Sequence, residues 1–235
     1  MTSPQSREWL AAAQAEYDSL VENNTWELVP LPSNRQTVDC KWVFRSKYDK
    51  DGNIERYKSR LVARGFTQQD GVDYDETYAP VVKYPSLRAL LAYALCNNMY
   101  IHQMDVITAF LNGHLSEEIY MSQPEGFVKQ GKEKLVCKLN KSIYGLKQSP
   151  RCWNAVLDNF LKLEGFTQPS ADQCIYLKSV KNVKTFTAIY VDDLVFMSSS
   201  ESALLQVKQR LAKRFAMKDL GRLHFLLGMS MEETS

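Results

Sequence analysis

Apolar positions recur along this chain with two periods, and the period changes mark the elements. Trp9, Leu10, Ala13, Tyr17 and Leu20 fall on one side of a 3.6-residue repeat, predicting an amphipathic helix over residues 6–22 with Ser6 as its cap. Asn23-Asn24 breaks it, and Pro30 with Pro32 predicts an extended connection. Residues 38–48 and 54–66 are β-prone runs joined by Asp49-Lys50-Asp51-Gly52-Asn53, a hairpin signal in which Gly52 supplies the positive φ. Leu87, Leu90, Leu91 and Leu95 predict a core helix opening at Pro85 or Ser86. Further strands are expected at 100–106, 119–122, 135–139 and 174–179. Trp153, Leu157, Phe160 and Leu161 predict a helix over 151–164 with Pro150 at its first turn. Leu204, Val207 and Leu211 predict another, starting at Ser200 or Ser202, that carries Lys208, Arg210, Lys213 and Arg214 outward. Residues 223–231 read as one more hairpin or sheet edge.

One stretch breaks the apolar logic. Tyr190-Val191-Asp192-Asp193-Leu194-Val195-Phe196 sets two adjacent acids between β-prone flanks, which places the acids at the tight turn of a hairpin spanning 185–197. Consecutive strand side chains point to opposite faces, so adjacent carboxylates converge only where the backbone turns. Such a pair fits a divalent metal site, since repulsion is relieved by a cation that takes oxygen ligands; it also fits an exposed turn, where Asp is common. Asp105 is a third acid, set among Met104, Val106, Ile107, Ala109 and Phe110, where burial is costly without a partner or metal. Three carboxylates from neighbouring strands match the donor set of a two-metal phosphoryl-transfer centre.

Composition narrows the classes. The 235 residues are 45% hydrophobic and 24% charged, enough for one large domain or two closely packed subdomains. No apolar run reaches a membrane span, and residues 1–8 lack the apolar core of a secretion signal, so no membrane partner is expected. Five cysteines stand singly, indicating an intracellular, reducing setting rather than a disulfide framework or zinc site; His102, His114 and His224 read as packing or surface residues. The formal charge of +2 hides an asymmetry: residues 1–34 hold one basic residue against five acids, and residues 35–68 hold nine against four. That second block is either a solvated hairpin surface or a phosphate-binding face, with Lys58 and Arg60 on one side of the return strand and Lys47 near the turn.

Five ordered segments then carry a resemblance: Lys41-Trp42-Val43-Phe44; residues 57–66, read Tyr-Lys-Ser-Arg-Leu-Val-Ala-Arg-Gly-Phe; Gln103-Met104-Asp105-Val106 followed by Thr108-Ala109-Phe110-Leu111-Asn112-Gly113; residues 144–150, read Tyr-Gly-Leu-Lys-Gln-Ser-Pro; and Tyr190-Val191-Asp192-Asp193. Over residues 26–232 the chain resembles the reverse transcriptase domain of copia-type long-terminal-repeat retrotransposons. The resemblance implies an α+β right-hand polymerase, a single domain over 1–235. An N-terminal helix and lead-in would occupy about 1–34, mostly fingers 35–100, and mostly palm 101–235, with an antiparallel sheet backed by helices. It implies RNA-directed DNA polymerisation from deoxynucleoside triphosphates on an RNA or DNA template-primer, using two Mg²⁺ ions, with Mn²⁺ as a substitute.

Asp105, Asp192 and Asp193 would be catalytic and, with the Val106 carbonyl, would bind the metals. Lys47, Lys58, Arg60, Phe110, Tyr144 and Gly145 would bind the nucleotide, Phe110 as a ring against a ribose 2′ hydroxyl. Lys147, Gln148, Gly228 and Met229 would meet template or primer. Ile107 departs from the pattern, standing where the family commonly has Lys. Thumb, ribonuclease H, integrase and protease segments are not apparent, so the expected setting is a polyprotein with those domains as partners. That setting would be cytoplasmic, in a virus-like particle, or nuclear. The alternative is a catalytically silent nucleic-acid-binding remnant.

Overall fold

A computed structural model describes residues 5–49 and 51–230. In chain order the elements are α1 (Ser6–Glu22), β1 (Trp26–Pro30), β2 (Thr37–Val38), β3 (Cys40–Tyr48), β4 (Ile54–Ala63), α2 (Tyr84–Cys96), β5 (Tyr100–Val106), β6 (Tyr120–Met121), β7 (Leu135–Leu139), α3 (Ser149–Leu163), β8 (Ile175–Val180), β9 (Val183–Tyr190), β10 (Asp193–Ser198), α4 (Glu201–Arg214), β11 (Met217–Arg222), β12 (Phe225–Leu226) and β13 (Met229–Ser230). Short 3₁₀ turns occupy Gly65–Thr67 and Ala109–Asn112. The mixture is α+β, as the pattern predicts. Two compact units interleave along the chain: residues 1–78 with 110–153, and residues 79–109 with 154–235.

The first unit holds a four-stranded sheet in the order β1-β7-β6-β2 and the separate ribbon β3-β4. β1 pairs antiparallel with β7, Trp26 opposite Leu139 and Pro30 opposite Leu135, in the stretch read as an extended connection. Pro30 lies on an edge strand of the sheet, where a missing N–H is tolerated. Leu20, Val38, Leu61, Ala63, Ile119, Met121, Cys137 and Leu139 gather into this unit's core. Against the ribbon, Trp9 of α1 packs edge-on to Phe44 and Tyr57, centroids 5.4 and 4.5 Å away. Ser6 is not the cap of α1: Gln5 holds that position and makes no side-chain cap bond, so Ser6 begins the helix itself.

The second unit is built on a five-stranded antiparallel sheet, β11-β5-β10-β9-β8. β5 and β10 lie at its interior because both are apolar runs with Met104, Val106, Leu194, Val195, Phe196 and Met197 buried. β11 has no counterpart in the expected pattern; it is a mostly exposed edge strand, Met-Lys-Asp-Leu-Gly-Arg, with a bulge between Asp219 and Gly221. The helix α4 differs from expectation at one residue. Lys208 is buried rather than outward, because Leu204, Val207, Lys208 and Leu211 form the i, i+3, i+4, i+7 stripe. Its Nζ donates to Asp219 Oδ1 at 2.6 Å and to His102 Nδ1 at 3.1 Å, which joins α4 to β5 and β11. With Nδ1 accepting, the proton sits on His102 Nε2, which is buried without a hydrogen-bond partner among the described residues. Burial and the Lys208 charge hold the imidazole below its ordinary pKa, and the Lys208 hydrogen bond helps to hold Asp219 low against its own desolvation.

The tail forms the small hairpin β12-β13, Leu226 opposite Met229, with Leu227 and Gly228 turning at positive φ. Lys50 and Met231 lie outside the described residues.

Candidate active site

The acid hairpin closes in two residues, Val191-Asp192, because Tyr190 pairs with Asp193. Only Val191 of the two has positive φ, +58°, so a β-branched residue occupies the first central position where such turns favour glycine. That conformation costs on the order of 1–3 kcal/mol and is retained where surroundings over-determine it. Here the Val106 N–H donates to the Asp192 carbonyl at 2.9 Å and fastens the turn to β5. The expectation of two acids at the tip is therefore half met. Asp192 is in the turn, while Asp193 opens β10.

The register supplies the third acid. Asp193 lies directly opposite Asp105 on β5, so both side chains share one face of the sheet. Facing Cβ atoms in such a pair are about 5 Å apart, and like charges there are destabilising. Burial pushes the Asp193 carboxyl above the usual carboxylate range and the Asp192 charge adds to it. One group opposes this shift: Gln103, also on the Asp105 face and 8% exposed, donates from Nε2 to Asp193 Oδ1 at 2.9 Å. Gln103 belongs to the matched segment around Asp105, and the sequence signal that marks it is its i, i+2 spacing to Asp105. Among the described residues no three His, Cys, Asp or Glu side chains are drawn together as a ready metal cage. The donor types nevertheless fit a divalent cation, being hard oxygens that already repel one another in register across adjacent strands.

The basic block of the first unit resolves into a ladder. Lys47 faces Arg56, Arg45 faces Lys58, Val43 faces Arg60 and Lys41 faces Val62, which puts six cations on one side of β3-β4. The expected Lys47, Lys58 and Arg60 do share a side; Lys41, Arg45 and Arg56 join them only once the register is known. The opposite side carries Phe44, Tyr57, Ser59 and Leu61, packed inward or against α1. Desolvation, then Arg60, Arg56 and Lys47, hold the Lys58 ammonium below its ordinary pKa, with Glu16 of α1 opposing.

Beside the base of the ribbon, the Arg60 guanidinium lies 4.6 Å from the Tyr144 ring centroid, and Phe110 meets the same ring edge-on at 4.6 Å. Phe110 is 8% exposed and its carbonyl accepts from Ser142 Oγ. Gly145 has φ +94°, and a Cβ there would collide with the Ala63 carbonyl oxygen; a Cβ on Gly65 would collide in turn with the Gly145 carbonyl. The close approach that requires glycine is thus between protein backbones. Lys147 is exposed, with Nζ 2.8 Å from the Tyr74 hydroxyl. Gln148 is completely buried: it accepts from Gln68 Nε2 and donates to the Asp73 carbonyl, while Lys147 N–H donates to Gln68 Oε1. The structure makes Gln148 a tie between loops rather than an open contact surface. Gly228 is exposed at the β12-β13 turn.

Residues 23–235 match the family described as reverse transcriptase (RNA-dependent DNA polymerase). The chain is 44% identical over 238 residues to the retrovirus-related Pol polyprotein from transposon TNT 1-94 of Nicotiana tabacum, covering all of this chain and 18% of that protein. It is 40% identical over 222 residues to the Pol polyprotein from transposon RE1 of Arabidopsis thaliana, covering 94% of this chain and 15% of that protein. It is 28% identical over 219 residues to the transposon Ty1-DR5 Gag-Pol polyprotein of Saccharomyces cerevisiae, covering 91% of this chain and 12% of that protein. The chain thus spans less than a fifth of these relatives' length, and by its match over nearly all of its residues it belongs to the reverse transcriptase family.

Proposed function

We propose that this chain is the RNA-directed DNA polymerase part of a copia-type retrotransposon polyprotein, extending a primer 3′ hydroxyl with deoxynucleoside triphosphates. The observation that carries the reading is the pairing of Asp105 with Asp193, beside Asp192, on the face that Gln103 braces. In a right-hand polymerase reading, the acid-bearing sheet corresponds to palm and the basic ribbon to fingers. Asp105, Asp192 and Asp193, with the Val106 carbonyl, would hold two Mg²⁺ ions, or Mn²⁺ in their place; bound there, the metals supply polarisation of the attacking hydroxyl and charge neutralisation of the leaving pyrophosphate.

The chain's own groups do the rest. Gln103 keeps the Asp193 carboxylate in one orientation; Lys58 and Arg60 take negative charge of the triphosphate; and Tyr144, fixed between Arg60 and Phe110, lines the nucleotide side. Phe110 acts on sugar choice through that contact. Lys147 and the Gly228-Met229 turn meet template and primer. RNA and DNA strands, deoxynucleotides, and integrase and ribonuclease H domains of the same polyprotein are the partners, in a cytoplasmic particle or the nucleus.

Primer extension on an RNA template in Mg²⁺ tests the reading. Extension by the native chain is expected, with a loss of about a thousandfold in Asp192→Asn, the size that several kcal/mol of metal-borne stabilisation implies. Extension that survives Asp192→Asn would overturn the assignment of the acids.

A further inference from the structure

The edge strand β11 adds one cation to the row of acids. Lys218 lies directly opposite Asp105, and Asp105 lies directly opposite Asp193, so the three follow one another across β11, β5 and β10. Residues directly opposite in antiparallel strands share a face, with Cβ atoms about 5 Å apart. Independent contacts fix which face this is. Asp219 and His102 both meet Lys208 of α4, so both point to the α4 side of the sheet. Their chain neighbours Lys218 and Gln103 therefore point to the other side, where Gln103 donates to Asp193.

Past the bulge, Gly221 stands opposite Gln103 and brings no side chain to that face. On β9 the face shared with Tyr190 includes Lys184, but six residues of strand put it about 20 Å from the acids. Lys218 is therefore the near cation of the row. It is exposed, and its ammonium is in no ion pair among the described residues. A lysine stem on an edge strand lets that charge swing over the carboxylates or out into water without disturbing the sheet.

We propose that Lys218 is a positioning residue that acts as a tethered counter-ion: in the metal-free chain its ammonium offsets the Asp105/Asp193 repulsion, and a divalent cation entering the site displaces it. This rests on the reading of the acids as a metal site and names a residue that sets how readily the site loads. One charge has two opposite effects. Without metal, its attraction to Asp105 stabilises the row, as opposite charges across strands do. During loading it opposes the metal, because it loses its partner and then faces a second cation. Salt weakens both effects, since Lys218 is exposed.

The test is a titration of Mn²⁺ into the native full chain and into K218M, K218R and K213M at low salt, with free Mn²⁺ followed by electron paramagnetic resonance. K218M keeps the stem and removes the charge, and its Mn²⁺ affinity is expected to rise about two- to fivefold, the factor that an opposite-charge pair across strands corresponds to. K218R should keep the native affinity. So should K213M, which removes an exposed cation from α4 on the far side of the sheet. In metal-free urea titrations K218M should lower the midpoint, and that loss should shrink in an Asp105→Asn background, where the partner charge is gone. Thermal melting checks that every variant folds. Native or weaker Mn²⁺ affinity in K218M overturns the counter-ion role and leaves the acid site intact. An equal gain in K213M also overturns it, since any lost charge would then suffice, as does an undiminished K218M loss in the Asp105→Asn background. A native chain that binds no Mn²⁺ overturns the acid site itself and this role with it.

Discussion

Two hairpins in this chain hold like charges face to face, and they solve the resulting repulsion in opposite ways. In the β9-β10 hairpin with β5, the charges are few and half-buried, and a neutral amide from Gln103 is bonded to one of them. In the β3-β4 ribbon the charges are many and spread along the ladder, Arg45 and Arg56 exposed and Lys47, Lys58 and Arg60 half-buried. Low dielectric raises the electrostatic cost of each charge and favours a compact, highly charged counter-ion at short range. The exposed cations of the ribbon are screened by salt. On the proposed function, the first arrangement would hold metal ions and the second would meet phosphate charge.

The comparison breaks first at Gln103. Gln103→Leu removes a hydrogen bond that favours the charged Asp193, and residues in that supporting position typically change metal affinity or activity by 10- to 100-fold. The expected outcome is weaker Mn²⁺ binding by that factor with unchanged oligonucleotide affinity, read by electron paramagnetic resonance and anisotropy. Parallel loss of both would mean that the substitution disturbs the fold generally.

A smaller effect separates the two hairpins by pH. The Asp193 carboxyl is raised in the folded state, so the folded chain binds its proton more tightly than the unfolded chain. Stability from this group is therefore present at acid pH and lost as pH rises through the raised value. Asp193→Asn, which keeps an oxygen for Gln103, should stabilise the metal-free protein at neutral pH by up to about 1 kcal/mol, with the gain shrinking toward acid pH. Urea titrations at two pH values check this; a destabilised Asp193→Asn at neutral pH would contradict it.

The smallest effect belongs to the ribbon. Arg45→Gln dissolves the Arg45/Lys58 rung and should stabilise the free chain by about 0.2–1 kcal/mol, independent of pH across the neutral range and reduced by salt. Urea titration in low and high salt measures it. A gain that salt leaves unchanged would point to packing instead of charge.

How much of this was legible in the sequence differs between the hairpins. The acid pair, its flanking strands and Asp105 stand out because buried carboxylates interrupt apolar runs, and the strand over 100–106 appears with the bounds expected. Asp193 as a strand residue, and its register against Asp105, were not legible, because a two-residue turn differs from a longer one only in pairing. The cationic block was visible as composition; its ladder was not, since the bulge that drops Glu55 from the register decides which cations face each other. Lys208 and Gln148 escaped for another reason. Both are polar residues buried by partners distant in sequence, Asp219 and His102 for one and Gln68 and Asp73 for the other. β11 escaped because a solvated edge strand carries little apolar alternation.

The central claim is that Asp105, Asp192 and Asp193 form one divalent-cation site. It is tested most directly by titrating Mn²⁺ into the native chain and into the Asp105→Asn/Asp193→Asn double variant, following free Mn²⁺ by electron paramagnetic resonance. The account predicts saturable binding that Mg²⁺ displaces in the native chain and its loss in the double variant, with both proteins melting as folded chains. Mn²⁺ binding of native strength in the double variant would contradict it.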